Sequence, residues 1–155
     1  MKLHQATTFG LYAVLELARE PERQLSTAHI AERYGISSHH LAKVMRTLVR
    51  GGLVQSVRGA GGGYRFSGNA NRVTLMDIIT LFETVGSELN LADGDLAPAT
   101  EIGAALQAVR DEIDDLTRAT LQSITLRTLI KSADKRDAAR AAKVPAATSP
   151  RETPA

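Results

Sequence analysis

Two stretches of the chain bring together side chains with a common chemistry. In "SSHHLAKVMRTLVR" (37–50), Ser37, Ser38, His39, His40, Lys43, Arg46 and Arg50 put hydroxyls, imidazoles and cations on one segment of helical periodicity. In "SVRGAGGGYRF" (56–66), Arg58 and Arg65 flank Gly59, Gly61, Gly62 and Gly63, with Tyr64 beside the second arginine. Hydroxyls and cations at the start of a helix suit base edges and the phosphates beside them, and a glycine-rich tip lets a backbone lie close to a polyanion. Glycines can also cradle a nucleotide phosphate. Here no Lys-Ser/Thr pair follows them, and the loop runs into a strand-like "YRF" instead of opening a helix. Neither a phosphate-binding loop nor a dinucleotide fingerprint fits.

Other chemistries find less support. The chain has no cysteine, which excludes thiol nucleophiles, disulfides and cysteine-ligated metals. The serines have no histidine and carboxylate at an informative spacing, so no catalytic constellation emerges and the chain does not read as an enzyme. His4 and His29 stand alone. The adjacent His39 and His40 are ordinary polar residues at a helix start or a pH-sensitive contact.

The elements that must position these residues follow from periodicity. Leu11, Val14, Leu15 and Ala18 recur at helical spacing from Thr7 to Ala18, and Pro21 closes that segment. Ser26 can cap a second helix that buries Ile30 and Tyr34 and breaks at Gly35. A third restarts at Ser37 or Ser38, buries Leu41, Val44, Met45 and Leu48, and stops at Gly51 and Gly52. Ala31, Gly35, Ile36, Leu41 and Val44 have the spacing of a helix-turn-helix, although any helical hairpin shares it. "LVQSVRG", "AGGG" and "YRF" then read as strand, turn and strand. A helix-turn-helix followed directly by a basic hairpin is the order of a winged helix. On that reading the third helix enters the major groove and Arg58 is free for the minor groove.

The rest of the chain is organised differently. Residues 1–66 carry nine Lys/Arg against four Asp/Glu, residues 67–131 five against ten, and residues 132–155 five against three. A basic first half and an acidic second half suit a module that meets a polyanion through one end. In "VTLMDIITLFE", Thr74 and Asp77 form a capping-box-like start, and Leu75, Ile78, Ile79 and Phe82 share a face that should pack under the winged helix. Ile102, Leu106, Val109, Ile113 and Leu116 alternate spacings of four and three, the seam a helix offers to a partner helix, or to its own domain if it folds back. A further short helix is expected near Thr125. Residues 132–155 lose apolar periodicity and read as a disordered tail. No apolar run reaches membrane-spanning length and no signal-peptide core is visible, so the expectation is a soluble, cytoplasmic protein with no membrane contact.

"MKLHQATTFGLYAVLELA", "IAERYGISSHHLAKVMRTLVRGGLV", the "SVRGAGGGYRF" wing and "VTLMDIITLFE" together resemble the Rrf2 (Rrf-two) family of winged-helix regulators related to NsrR and IscR. The resemblance covers residues 1–131 in order, and "RGxGGGY" after the helix pair is its most specific part. It implies a homodimeric transcriptional regulator, usually a repressor, on a partly palindromic DNA operator. Many members hold an iron-sulfur cluster through three cysteines after "LFE" and one other ligand. This sequence departs there: 84–103, "TVGSELNLADGDLAPATEIG", has no cysteine, Thr100 stands where relatives often have one, and Thr8 stands where some place a carboxylate. Glu88, Asp93, Asp95 and Glu101 would suit Mg²⁺ or Ca²⁺ better than iron-sulfur, but such acids in a polar loop are by default solvated.

The expected fold is mainly α with a small β-hairpin, a winged helix-turn-helix plus a long C-terminal dimerisation helix. Its parts are a DNA-binding domain (1–83), an effector loop without cysteines (84–101), dimerisation helices (102–131) and the tail (132–155). The expected partners are a double-stranded DNA operator, a second copy of the chain, and an unknown small-molecule or protein effector. No cofactor is expected. The competing reading is a dimeric adaptor that keeps the winged-helix shape but binds a protein, and salt-sensitive DNA binding separates the two.

Overall fold

The computed structural model describes residues 2–86 and 100–142. Three helices build the first half: α1 (Gln5–Arg19), α2 (Thr27–Tyr34) and α3 (Ser38–Arg50). Ser26 caps α2 by accepting from the His29 amide. Both α2 and α3 then end by the same device. Gly35 takes a left-handed φ of 63° while the Ile36 amide returns to the Ala31 carbonyl at 2.8 Å. Gly52 has φ 72° while the Leu53 amide returns to Leu48 at 3.1 Å. These are Schellman closures, in which glycine supplies the positive φ and the next apolar residue turns into the core. Ile36 and Leu53 are both buried.

The hairpin joins β1 (Val54–Val57) to β2 (Gly63–Phe66), pairing Val54 with Phe66, Gln55 with Arg65, Ser56 with Tyr64 and Val57 with Gly63. It is tied to the helices through Leu25, which exchanges backbone hydrogen bonds of 3.0 and 2.8 Å with Tyr64. One core gathers Val14 and Leu17 of α1, Ile30 of α2, Leu41, Met45 and Leu48 of α3, and Val54 and Phe66 of the hairpin.

The capping box is present at α4 (Leu75–Ile79): Thr74 accepts from the Asp77 amide, and the Asp77 carboxylate accepts from the Thr74 amide. Ile78 joins the main core and Ile79 a second, smaller cluster with Val85 and Leu121. Then α5 (Glu101–Ser123), capped by Thr100, leads to α6 (Leu126–Ala142). The turn between them docks on the start of α4 and the segment before it, where the Leu75 amide donates to Ile124 and the Leu126 amide to Val73.

Two expectations need correction. The helix near Thr125 is long, and α6 continues through residues 132–142, where the sequence predicts part of a disordered tail. Alanine-rich composition favours helix even without an apolar stripe. Arg19 also anchors the extension through Asp134 at 2.6 Å and Asp137 at 3.3 Å. Residues 143–155 lie outside the described residues. So do residues 87–99, most of the expected effector loop and the acids Glu88, Asp93 and Asp95.

A cationic candidate nucleic-acid interface

Four core residues, Leu41, Val44, Met45 and Leu48, fix the orientation of α3. At 100° per residue, the side opposite that core carries His39, Lys43, Arg46 and Arg50, spaced four, three and four. All four are exposed. Ser37 and Ser38 are exposed at its start, Ser37 being the N-cap residue. His40 falls elsewhere. It lies a third of a turn round the helix from His39, on the flank that faces the beginning of α1, with the ring centroids 6.3 Å apart.

What distinguishes this stripe is the lack of compensating charge. Lys43, Arg50 and Arg58 make no ion pair among the described residues, and Arg46 donates only to the Ala42 carbonyl one turn back. The cations near the far end of α1 are neutralised: Arg19 by Asp134 and Asp137, Arg23 by Glu20, and Arg33 by Glu16. The hydrogen bond that Arg19 donates to Asp134 raises the Arg19 pKa, opposed by a smaller effect of burial. Tyr34, which donates to Glu16 at 2.7 Å, has its phenol pKa raised first by burial and then by that bond.

At the wing, Arg58 is exposed, and the tip beside it turns through Gly59 at φ 122°. The Gly62 amide closes the turn on the Gly59 carbonyl at 2.9 Å. Gly61 has open space around it and gives its carbonyl to the Gln24 side chain at 2.7 Å. Gly63 has a different task. A Cβ there would collide with the Leu25 carbonyl, so glycine is what permits the bridge between wing and helices. Tyr64 is half-buried and packed on the core, and Arg65 reaches Glu22 only at 4.0 Å. The structure thus sets Arg58, Gly59 and Gly61 at the tip and Gly63 and Tyr64 at its foundation. Sequence reading missed Gln24 and Leu25, whose only signal is a single apolar residue just before the α2 cap.

On α5 the pattern is reversed. Gly103, Gln107, Arg110, Asp114, Thr117 and Leu121 form the more buried side, largely polar, whereas the apolar stripe is exposed: Ile102 75%, Leu106 48%, Val109 54%, Ile113 43% and Leu116 62%. The stripe does not fold back on its own domain.

Comparison with known proteins gives these features a setting. The family described as "Rrf2: Iron-dependent Transcriptional regulator" matches residues 3–132. The chain belongs to the Rrf2 family. It is 52% identical over 134 residues to the "Putative HTH-type transcriptional regulator BadM" of Rhodopseudomonas palustris, covering 86% of this chain and 84% of that protein. Among solved structures it is similar to CymR, the global cysteine regulator of B. subtilis, at TM-score 0.71 and 30% identity over 85% of this chain and 98% of that one. IscR of T. potens matches at TM-score 0.71 and 29% identity, over 88% and 90%. The chain is accordingly an Rrf2 transcriptional regulator with a DNA-binding winged-helix fold, not an enzyme. No helix among the described residues is long and apolar enough to cross a membrane.

The iron in the family description does not fit this donor set. Iron-sulfur clusters are held by thiolates, in some cases with imidazole, and this sequence contains no cysteine. Where α1 meets the segment after α4, the carboxylate of Glu83 is engaged by the Thr7 hydroxyl, by the His4 amide at 3.1 Å and by His4 Nδ1 at 3.5 Å. Thr8 bonds its own helix, donating to the His4 carbonyl. No group of three His, Asp or Glu side chains suited to a metal occurs among the described residues.

Proposed function

We propose that this Rrf2 regulator is a homodimeric, cytoplasmic repressor that binds a partly palindromic operator without an iron-sulfur cluster and responds to a small-molecule or protein effector. The observation that carries the DNA reading is the uncompensated stripe of α3. Cations held without acidic partners are stabilised by meeting phosphates and releasing their counterions. In this reading α3 enters the major groove N-terminus first, with Ser37, Ser38 and His39 nearest base edges. Lys43, Arg46 and Arg50 follow along the phosphates. Arg58 reaches the minor groove from the wing tip, where Gly59 and Gly61 leave room for the duplex.

The exposed stripe of α5 supports the dimer. A helix that turns its polar side inward and its apolar side to water is stabilised by a second apolar surface, and a copy of itself supplies one with two-fold symmetry. Two recognition helices then read half-sites about 34–36 Å apart. A compact dimer of this kind represses by occluding the promoter.

The test is retention of genomic DNA fragments by the purified full-length protein at moderate salt, followed by sequencing. Enrichment of one inverted repeat is the expected outcome and names the target genes. Retention without sequence preference, repeated after addition of cell extract, would sink the operator reading and favour the protein-binding adaptor.

A further inference from the structure

The face of α3 next to the basic stripe borders a cleft of about 180 Å³ between the beginning of α1 and the segment after α4. Its walls are Ala6 and Phe9 of α1, Val44 of α3, and Phe82. Phe82 packs against Gly10, where a Cβ would lie 2.5 Å from the ring, so the absence of a side chain lets the aromatic approach α1 closely. Gln5, His40, Lys43 and Thr47 complete the lining, and no acidic residue does; the Thr47 hydroxyl is turned back onto the Lys43 carbonyl, which leaves Gln5, His40 and Lys43 as the groups that can donate to a ligand. An apolar cavity of about 150 Å³ takes a ring of six carbons, so this volume suits a body of that size with a small head group.

We propose that this cleft binds a small organic carboxylate, with its apolar body against Phe9, Val44 and Phe82 and its carboxylate on Lys43, and that occupancy withdraws Lys43 from DNA. An anion with an apolar body is the chemistry that fits largely apolar walls beside a lysine that makes no ion pair among the described residues. Coupling follows from position. Lys43 lies between the outward stripe of His39, Arg46 and Arg50 and the flank of His40 and Thr47, and its flexible stem can serve one side or the other. This deepens the effector part of the function proposed above and rests on that reading for its DNA consequence only.

The ligand step is tested without DNA, by NMR titration of the full chain with hexanoate, and with hexanamide as its uncharged counterpart. Saturable amide shifts confined to residues 5–9, 40–47 and 82, with hexanamide at least about tenfold weaker, are expected. Lys43→Gln, at an exposed site, should equalise the two compounds, and Ala6→Phe should abolish both by filling the cleft. Absence of saturable shifts with butanoate, hexanoate and octanoate, or unchanged hexanoate binding in folded Ala6→Phe, would overturn the site. Equal affinity for hexanoate and hexanamide in the unmodified protein would overturn the carboxylate class. On retained genomic DNA, saturating hexanoate should weaken binding and lower the magnitude of the salt slope by about one. Full occupancy with unchanged retention would overturn the coupling. A protein that retains no DNA at all fails the operator reading, while the titration still decides the cleft.

Discussion

Helices α3 and α5 present the same geometry with opposite chemistry. Each shows solvent a stripe spaced by fours and threes: His39, Lys43, Arg46 and Arg50 on one, Ile102, Leu106, Val109, Ile113 and Leu116 on the other. In α3 the inner side is apolar and the outer side cationic, which satisfies a folded monomer in water. In α5 the inner side is largely polar and the outer side apolar, which does not. Under the proposed function the difference separates two kinds of partner: a polyanion would complete the first surface and make it respond to salt, and apolar contact would complete the second and make it respond to concentration.

The largest effect is expected from reversing the chemistry of α5. Fully burying a Leu or Ile side chain contributes about 1.5–3 kcal/mol, and two-fold symmetry makes each substitution count twice. Ile113→Asp with Leu116→Asp should therefore raise the dimer dissociation constant by at least about 10³-fold, read by analytical ultracentrifugation, and operator retention should fall with it. Thermal unfolding of the isolated chain should change little, since both side chains are already exposed. If the melting temperature collapses while the mass stays unchanged, the stripe serves the fold and the contrast between the helices disappears.

Smaller effects sharpen the α3 side. Arg58→Ala should cost about 1–3 kcal/mol on the operator and relax preference beneath the wing. Arg50→Ala should weaken binding by a similar factor on every DNA sequence and reduce the salt slope by about 0.9. The two variants separate groove reading from phosphate contact, and identical behaviour across sequences would place Arg58 with Arg50.

The residues that distinguish the helices were legible to unequal degrees. Ser26, Gly35 and the Thr74/Asp77 pair announce helix ends because capping depends on a few adjacent side chains. The buried side of α3 and the apolar stripe of α5 are likewise written in spacing, but that the α5 stripe is exposed instead of folded back on its own domain is shown by the structure alone. Which histidine faces outward follows from that same spacing, since His39 lies opposite Leu41, Val44, Met45 and Leu48 at 100° per residue, but the neighbour of His40 at the beginning of α1 is hidden from it. The role of Gly63 is similarly hidden. It is determined by Leu25, thirty-eight residues away, through a backbone bridge that no local pattern encodes. The extension of α6 was missed because its support is a contact of Arg19 with Asp134 and Asp137, not an apolar period.

That extension supplies the smallest prediction and the control for the others. Arg19 is as formally cationic as Arg50, but its charge is already met by two carboxylates. Partly exposed pairs of this kind contribute about 0.2–1 kcal/mol, so Arg19→Ala should lower global stability by no more than that. Its visible effect should be local, as faster amide exchange over residues 134–142 while α1 retains its protection. Operator affinity and its salt slope should stay unchanged, because a cation neutralised within the chain has no net charge left to offer a phosphate. If Arg19→Ala flattened the salt slope as much as Arg50→Ala, DNA would be sensing the total charge of the chain, and the division between paired and unpaired cations would lose its meaning.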